Sequence, residues 1–176
     1  MTTFIVSNST LPEKIANLNP LPSQLYLTLP ASNEEQYKKT CRPMIKNGWQ
    51  KIIESIEMIE SLSCRTLVRL TAVKDLNLYL DEKLIGDYIK LIEKANPDFF
   101  EIKGFTLQAK ALLIKDRLKN EKEIKHYFPE YAYLEKIALK FEELGNFPLI
   151  YKNEPSRDFL FTVNWDKNMD PKLKQP

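Results

Sequence analysis

The amino-acid sequence predicts an α/β fold with a mostly parallel sheet, and three observations carry that expectation. A strand–turn–helix unit recurs about four times up to Gly104, the order from which parallel sheets with crossover helices are built. Residues 65–73 form an apolar run rich in β-branched side chains, with Leu67, Val68, Leu70 and Val73, as in a strand buried on both faces. That strand ends in Lys74, Asp75, Leu76 and Asn77, and polar residues at the carboxyl ends of parallel strands are where α/β proteins place their sites. Arg69 and Thr71 interrupt the run on one shared face, because alternate side chains of a strand point the same way. A buried Arg69 needs a partner or a ligand, and Glu101 on the adjacent strand is a candidate partner.

Each element has a local reason. Phe4, Ile5 and Val6 make a short β-prone run followed by the polar turn Ser7, Asn8, Ser9 and Thr10. Leu11, Ile15 and Leu18 fall at helical spacing, with Pro12 tolerated in a first turn. Gln24 to Leu29 reads as the next strand, ended by Pro30, which lacks the donor a ladder needs. Ser32 and Glu35 form a capping box for a helix running to about Cys41, and Arg42-Pro43 stops it. Trp49, Ile52, Ile53, Ile56 and Ile59 mark an amphipathic helix over 46–62, with Glu54, Glu57 and Glu60 on a solvated face and Trp49 in the core. Asp81 caps a second amphipathic helix carrying Leu84, Ile85, Tyr88, Ile89, Ile92 and Ala95, and Asn96-Pro97-Asp98 breaks it before the strand Phe99 to Gly104. After Gly104 the order is lost. Residues 108–127 read as part helix, part loop; Pro129 opens a helix closed by Gly145 as C-cap. Residues 148–151 and 159–163 look like a terminal strand pair flanking the segment Asn153 to Arg157, and a polar tail follows from 165.

Composition narrows the class. Among 176 residues, 43% are hydrophobic and 28% charged, with a net charge of +2, ordinary for a globular domain with a sizeable core. No bulk field demands nucleic acid, no apolar run spans a membrane, and the start has no basic region followed by an apolar one. A cytoplasmic location is the expectation. Two cysteines, Cys41 and Cys64, form no disulfide framework and fit a reducing compartment as small packed thiols. Four glycines against eleven prolines hint that part of the machine is missing. One histidine, His126, supports neither a Ser-His-Asp triad nor a zinc site and reads as a surface residue. Lys110, Lys115, Arg117, Lys119, Lys122 and Lys125 form a basic tract able to meet phosphates, interrupted by Asp116, Glu121 and Glu123. Tyr127, Phe128, Tyr131 and Tyr133 lie close by as possible base-stacking groups.

Several segments together resemble the tRNA wyosine-synthesis radical-SAM enzymes, the 4-demethylwyosine synthases. They are Asn8-Ser9-Thr10 after an apolar strand, Pro22 to Leu29, Arg42 to Trp49, Arg65 to Thr71, Pro97 to Gly104, and Glu154-Pro155-Ser156-Arg157 before a final apolar strand. They keep the family's order over roughly residues 4–164. The resemblance implies the carboxyl-terminal portion of a radical-SAM partial (β/α) barrel over residues 1–164, with 165–176 as tail. It implies a carbon–carbon lyase that uses a [4Fe-4S] cluster and S-adenosylmethionine to condense pyruvate carbons with N1-methylguanosine of phenylalanine tRNA, with a flavin-bearing electron donor as a possible partner. It implies that Asn8, Thr28, Arg69, Thr71 and Asn77 approach S-adenosylmethionine, and that Lys74, Glu101, Lys103 and Arg157 line the substrate cavity.

Four features depart from the family's pattern. The CxxxCxxC motif, which lies upstream of Phe4 in the family, is absent, so no metal ligand is expected in this chain and the catalytic residues are unassigned. Three thiolates must hold a cluster that leaves one iron open. Pro30 stands where the family commonly has an aspartate, Asp75 replaces a glycine, and residues 105–131 lack the glycine- and serine-bearing loop and the histidine that follow the sixth strand. The alternative function is a cluster-free chain that binds tRNA or a partner without catalysis. The strand at Phe4 is expected to be unpaired on one side and prone to association.

Overall fold

The computed structural model describes residues 2–106 and 125–164. The expected irregular stretch 108–124 with most of the basic tract, and the tail from 165, lie outside the described residues. The elements are β1 (Phe4–Ser7), α1 (Pro12–Ala16), β2 (Gln24–Thr28), α2 (Glu34–Cys41), α3 (Gly48–Glu57), a 3₁₀ turn (Ile59–Ser61), β3 (Arg65–Ala72), α4 (Glu82–Ala95), β4 (Phe99–Gly104), α5 (Tyr131–Gly145), β5 (Leu149–Asn153) and β6 (Asp158–Thr162).

The strands make one six-stranded sheet in the order β1-β2-β3-β4-β6-β5. β1 to β4 pair in parallel, and β6 and β5 add an antiparallel hairpin on the far side of β4. The sheet is therefore α/β and mostly parallel, as the repeating order predicts. β1 and β5 are its two edges. The edge expected at β1 is present: Phe4 is 71% and Val6 51% exposed.

One face of the sheet carries the core. Leu25, Leu27, Val68, Leu70, Phe100 and Ile102 point into a cluster closed by Ile52 and Ile56 of α3, Ile85, Ile89 and Ile92 of α4, and Leu134, Ile137 and Phe141 of α5. Phe100 sits at the centre, with ring centroids 5.2 Å from Phe141 and 5.3 Å from Phe161. At about 25 cal/mol per Å2 of apolar surface removed from water, such aromatic groups dominate the stability of a core this size.

Among the described residues the other face has no helix on it, which corrects the expectation that β3 is covered by helices on both sides. Along β3, Thr66, Val68, Leu70 and Ala72 are buried, while Arg65, Arg69 and Thr71 are half-buried. The apolar run misleads because Leu67 is buried on the second face too, so period-two alternation is masked.

Local signals are displaced by one residue at two helix ends. The N-cap of α2 is Asn33, whose side chain accepts from the Gln36 amide at 2.9 Å, not Ser32 with Glu35. Ser32 instead donates its backbone amide to Gln36 Oε1 at 2.8 Å. Asn146, with φ 52°, is the left-handed C-cap of α5, while Gly145 closes the helix itself. A Cβ on Gly145 would lie 2.8 Å from the Phe147 ring, so close packing requires that glycine. Asp81 caps α4 as expected, accepting from Leu84 at 2.7 Å.

Candidate functional site

Strand register collects the polar residues of the face opposite the core into rows. Thr28 of β2, Arg69 of β3, Glu101 of β4 and Leu160 of β6 lie side by side. Thr71, Lys103 and Asp158 form the next row toward the carboxyl ends of the parallel strands. Two β-strand rises separate the rows, roughly 6.6 Å.

Arg69 is gripped from two sides. Its Nε donates to Glu101 Oε2, and its Cζ lies 4.6 Å from the centre of the Tyr26 ring, within cation–π range. The side chains of Arg69 and Glu101 retain 21% and 12% of their exposure. Burial pushes the Tyr26 hydroxyl above the ordinary tyrosine value, with the Glu101 carboxylate adding to the rise and Arg69 and Arg65 opposing it. Among the described residues the terminal nitrogens of Arg69 make no hydrogen bond, nor do the hydroxyls of Thr28 and Thr71. Lys103 is engaged differently. Its Nζ bonds both carboxylate oxygens of Asp158, at 2.8 and 2.9 Å.

At the carboxyl ends of the strands, other expected site residues hold the backbone. Asn77, 1% exposed, accepts from the Val73 amide at 2.7 Å and donates to the carbonyls of Pro30 and Thr71, each at 2.9 Å. Both amide hydrogens are engaged, so Asn77 joins the ends of β2 and β3. Arg157 donates to the carbonyls of Pro129 at 3.2 Å and Phe105 at 3.3 Å, fastening the β5–β6 turn over the end of β4. Gly104 permits this approach, because a Cβ there would meet Arg157 Cβ at 2.9 Å. Asn8 turns the chain after β1: its Oδ1 accepts from the Thr10 hydroxyl at 2.7 Å and the Thr10 amide at 3.2 Å, leaving its amide nitrogen exposed. Lys74 lies beside the Tyr133 ring, with Nζ 5.1 Å from its centre.

Asp75 has φ 57°. The left-handed backbone explains why the resembling family has glycine there, and aspartate is among the few side-chain-bearing residues that tolerate it. Asp75 Oδ2 then reaches His126 Nε2 at 2.9 Å. With the Lys74 amide donating to the Tyr127 carbonyl at 3.1 Å, this fastens residues 126–127 to the end of β3.

Sequence reasoning missed Tyr26 and Asp158. Tyr26 was legible in part, since it shares the Gln24, Tyr26, Thr28 face of β2. Asp158 was not, because its pairing with Lys103 depends on an antiparallel register that no local pattern announces. An open cavity of about 290 Å3 adjoins Glu101 on the amino-terminal side of the Arg69 row, with Leu67, Phe99 and Leu160 as apolar lining and Tyr26, Glu101 and Arg65 at its sides.

The described residues contain no group of three His, Cys, Asp or Glu side chains able to hold a metal ion. Cys41 is exposed on α2 and Cys64 buried ahead of β3, and neither forms a disulfide. Two cysteines in 176 residues cannot supply the three thiolates of a radical-SAM cluster, so this chain's residues do not fit that group.

No family model matches the chain. Over 107 residues it is 43% identical to the S-adenosyl-L-methionine-dependent tRNA 4-demethylwyosine synthase of Pyrococcus horikoshii, covering 59% of this chain and 30% of that protein. Over 106 residues it is 39% identical to the corresponding synthase TYW1 of Mus musculus, covering 60% of this chain and 14% of that protein. The solved structure of TYW1 with a lysine-pyruvate adduct bound superposes with a TM-score of 0.73 at 27% identity, over 93% of this chain and 48% of that one. The radical-SAM coproporphyrinogen III oxidase of Escherichia coli shares the fold, with a TM-score of 0.56 at 11% identity, over 93% of this chain and 35% of that one. The chain thus spans less than a third of these curated relatives' length and about half of the TYW1 structure. No helix among the described residues is long and apolar enough to cross a membrane.

Proposed function

We propose that this chain, a partial homologue of the tRNA 4-demethylwyosine synthases, serves wyosine biosynthesis by supplying one wall of the cavity in which a tRNA base and S-adenosylmethionine meet. The observation that carries the reading is the row of polar side chains on the face opposite the core. Thr28, Arg69, Thr71, Glu101 and Lys103 come into register there, on a sheet that superposes on TYW1.

The residues present suit a nucleoside-bearing cofactor. Asn8 at the end of β1 offers an amide, Thr28 and Thr71 offer hydroxyls, and Arg69 offers the outer edge of its guanidinium. Lys74, Lys103 and Arg157 stand at the carboxyl ends of the strands, where the modified nucleoside of the tRNA would enter. The protein's part is binding, orientation and exclusion of water. In this reading the [4Fe-4S] cluster rests on thiolates that these 176 residues do not carry, electrons come from a flavin-bearing donor, and the reaction takes place in the cytoplasm.

The test is a gel-shift titration of the full chain with phenylalanine tRNA that carries N1-methylguanosine and with the same tRNA lacking the methyl group, with and without S-adenosylmethionine. A several-fold preference for the methylated tRNA, strengthened by S-adenosylmethionine, is the expected result. Equal or absent binding of both tRNAs overturns the reading. Anaerobic treatment of the chain with iron and sulfide should yield no [4Fe-4S] absorption; a visible band with stoichiometric iron would reverse the assignment of the cluster ligands.

A further inference from the structure

We propose that the loop between α2 and α3, residues 43–46, is an RNA-docking element, with Arg42 and Lys46 on backbone phosphates and an unstacked base lodged against Trp49 in the cavity at the loop's foot. The inference deepens the reading above by naming a second contact for the RNA, away from the open face of the sheet, and rests on that reading for the choice of tRNA.

The loop is held at its base and bare at its tip. Left-handed residues turn the chain at its two ends, Arg42 with φ 45° and Asn47 with φ 55°. Gly48 then closes against α2, where a Cβ would lie 2.6 Å from the Tyr37 hydroxyl oxygen. The Tyr37 and Trp49 rings meet beside it, with centroids 6.0 Å apart. Between these anchors Met44 is 100% and Ile45 41% exposed.

Hydrogen bonds place the loop on the sheet. Buried Ser55 of α3 donates its hydroxyl to the Ser9 carbonyl at 2.8 Å, and Ser9 donates its own to the Thr28 carbonyl at 3.0 Å. Ser55 is therefore level with the carboxyl ends of β1 and β2. From there the chain descends to the start of β3. Gly48, seven helical rises earlier, stands beyond the strand ends by up to roughly 10 Å. The loop thus projects on the side of the sheet where Asn8 and Lys74 also lie.

Charge selects the occupant. Residues 34–51 hold five basic side chains and two acidic ones, a net +3 against +2 for the whole chain. Both acids are neutralised within α2, where Glu34 pairs with Lys38 at 2.9 Å and Glu35 with Lys39 at 2.7 Å. Arg42 and Lys46 are exposed and make no side-chain hydrogen bond or ion pair among the described residues. A cavity of about 460 Å3 opens beside them, with Tyr37, Ile45 and Trp49 among its walls together with Lys38, Arg42 and the paired Glu34. That volume lies in the range for organic ligands and takes one base. Cations that meet phosphates, next to an aromatic ring that takes an unstacked base, are how proteins hold single-stranded and loop RNA. An anionic lipid surface also attracts an apolar tip flanked by cations, but it leaves the cavity unfilled.

The test is a titration of the full chain with phenylalanine tRNA, with and without the N1-methyl group, from about 50 to 200 mM salt. Arg42→Gln combined with Lys46→Gln should weaken binding of both tRNAs by the same factor, about ten-fold, and lower the slope of log affinity on log salt by roughly 1–2. Trp49→Leu keeps an apolar side chain against the core and removes the stacking face. It should weaken both tRNAs about five-fold with the salt slope unchanged. Lys152→Gln, on the hairpin, is the control that changes nothing. Unaltered affinity and slope in the double variant overturn the proposal, as does a loss confined to the methylated tRNA, or no tRNA binding by the unaltered chain. Cosedimentation with phosphatidylserine vesicles that Met44→Asp abolishes while tRNA binding stays intact overturns it in favour of a lipid surface. The loop is measured on both tRNAs, so its contribution stands or falls without the methyl preference that tests the reading above.

Discussion

On the helix-covered face of the sheet, Leu25, Leu27, Val68, Leu70, Phe100 and Ile102 are sealed from water and touch side chains from three long helices. On the opposite face of the same strands, Tyr26, Arg69, Glu101 and Lys103 keep part of their exposure and meet one another through ion pairs and a ring contact. The first face holds the strands in place by area removed from water, and it needs volume more than chemistry. The second contributes less to folding, because half-exposed ion pairs gain little over hydration. What it gains is orientation: charges held by their neighbours at fixed places on a wall that no helix among the described residues covers. One sheet therefore separates the work of folding from the work of recognition along the alternation of its own side chains.

The sharpest way to break that contrast is at Phe100. Phe100→Ala removes a ring packed between Phe141 and Phe161, and should cost about 3–5 kcal/mol in chemical denaturation, as large-to-small changes in aromatic cores do. A loss as small as that from a substitution on the open face would mean that the core is not where stability resides.

Asn77 tests the seam between the two faces. Asn77→Ala leaves the Val73 amide and the carbonyls of Pro30 and Thr71 without their partner. The expected loss is about 2–3 kcal/mol, since each buried group left unsatisfied carries its desolvation penalty. Hydrogen exchange of the Val73 amide should rise well beyond the global change. Unaltered exchange there would show that the mouth of the sheet is held by something else.

A pH titration reaches the same seam from behind. Tyr88 of α4 donates to the Asn77 carbonyl at 2.8 Å, and burial holds its hydroxyl well above the ordinary tyrosine value of 10. A folded-state pKa above the unfolded one gives stability that is complete below pH 10. It is lost as pH rises, because the unfolded chain releases the proton first. Tyr88→Phe should flatten the alkaline loss by at most about 1.4 kcal/mol per pH unit, the slope of one proton. Thermal melts between pH 8 and 11 measure it, and an unchanged slope would assign the loss to other tyrosines.

The smallest effect belongs to the sheet's outer edge. Lys152 pairs with Glu135 at 3.0 Å, with 41% and 34% of the two side chains exposed. Lys152→Gln should leave the denaturation midpoint where it is, since exposed pairs are screened and lose side-chain entropy. A clear drop would place part of the fold's stability in surface charge.

The strands and helices were readable in the residues because each is punctuated by its own chemistry. Pro30 ends β2, Asp81 starts α4, and Pro97 closes it before β4. Two caps were misplaced by one residue, at Ser32 against Asn33 and at Gly145 against Asn146, where adjacent residues can each serve; the helix expected over 46–62 is α-helical only over Gly48–Glu57. The pairing of Arg69 with Glu101 was open to inference once two adjacent parallel strands were recognised. The pairing of Lys103 with Asp158, 55 residues apart, was not. The inward turn of Asn77 was not legible either: a polar residue at the end of a central strand has the address of a ligand contact, and only the fold shows its side chain bonded to Val73, Pro30 and Thr71.

Local patterning and the resembling motifs were sufficient to say that this chain is a mostly parallel α/β structure, that Arg69 and Thr71 share a face, and that two cysteines cannot hold a radical-SAM cluster. They were sufficient because period, punctuation and residue count are properties of the chain read in one dimension. Which polar side chains remain open to a ligand was decided only by the assembled sheet. Hydrogen bonds between Lys103 and Asp158, and from Asn77 to two strand ends, join residues whose distance is set by register and crossover. Those are settled when the helix-covered face packs.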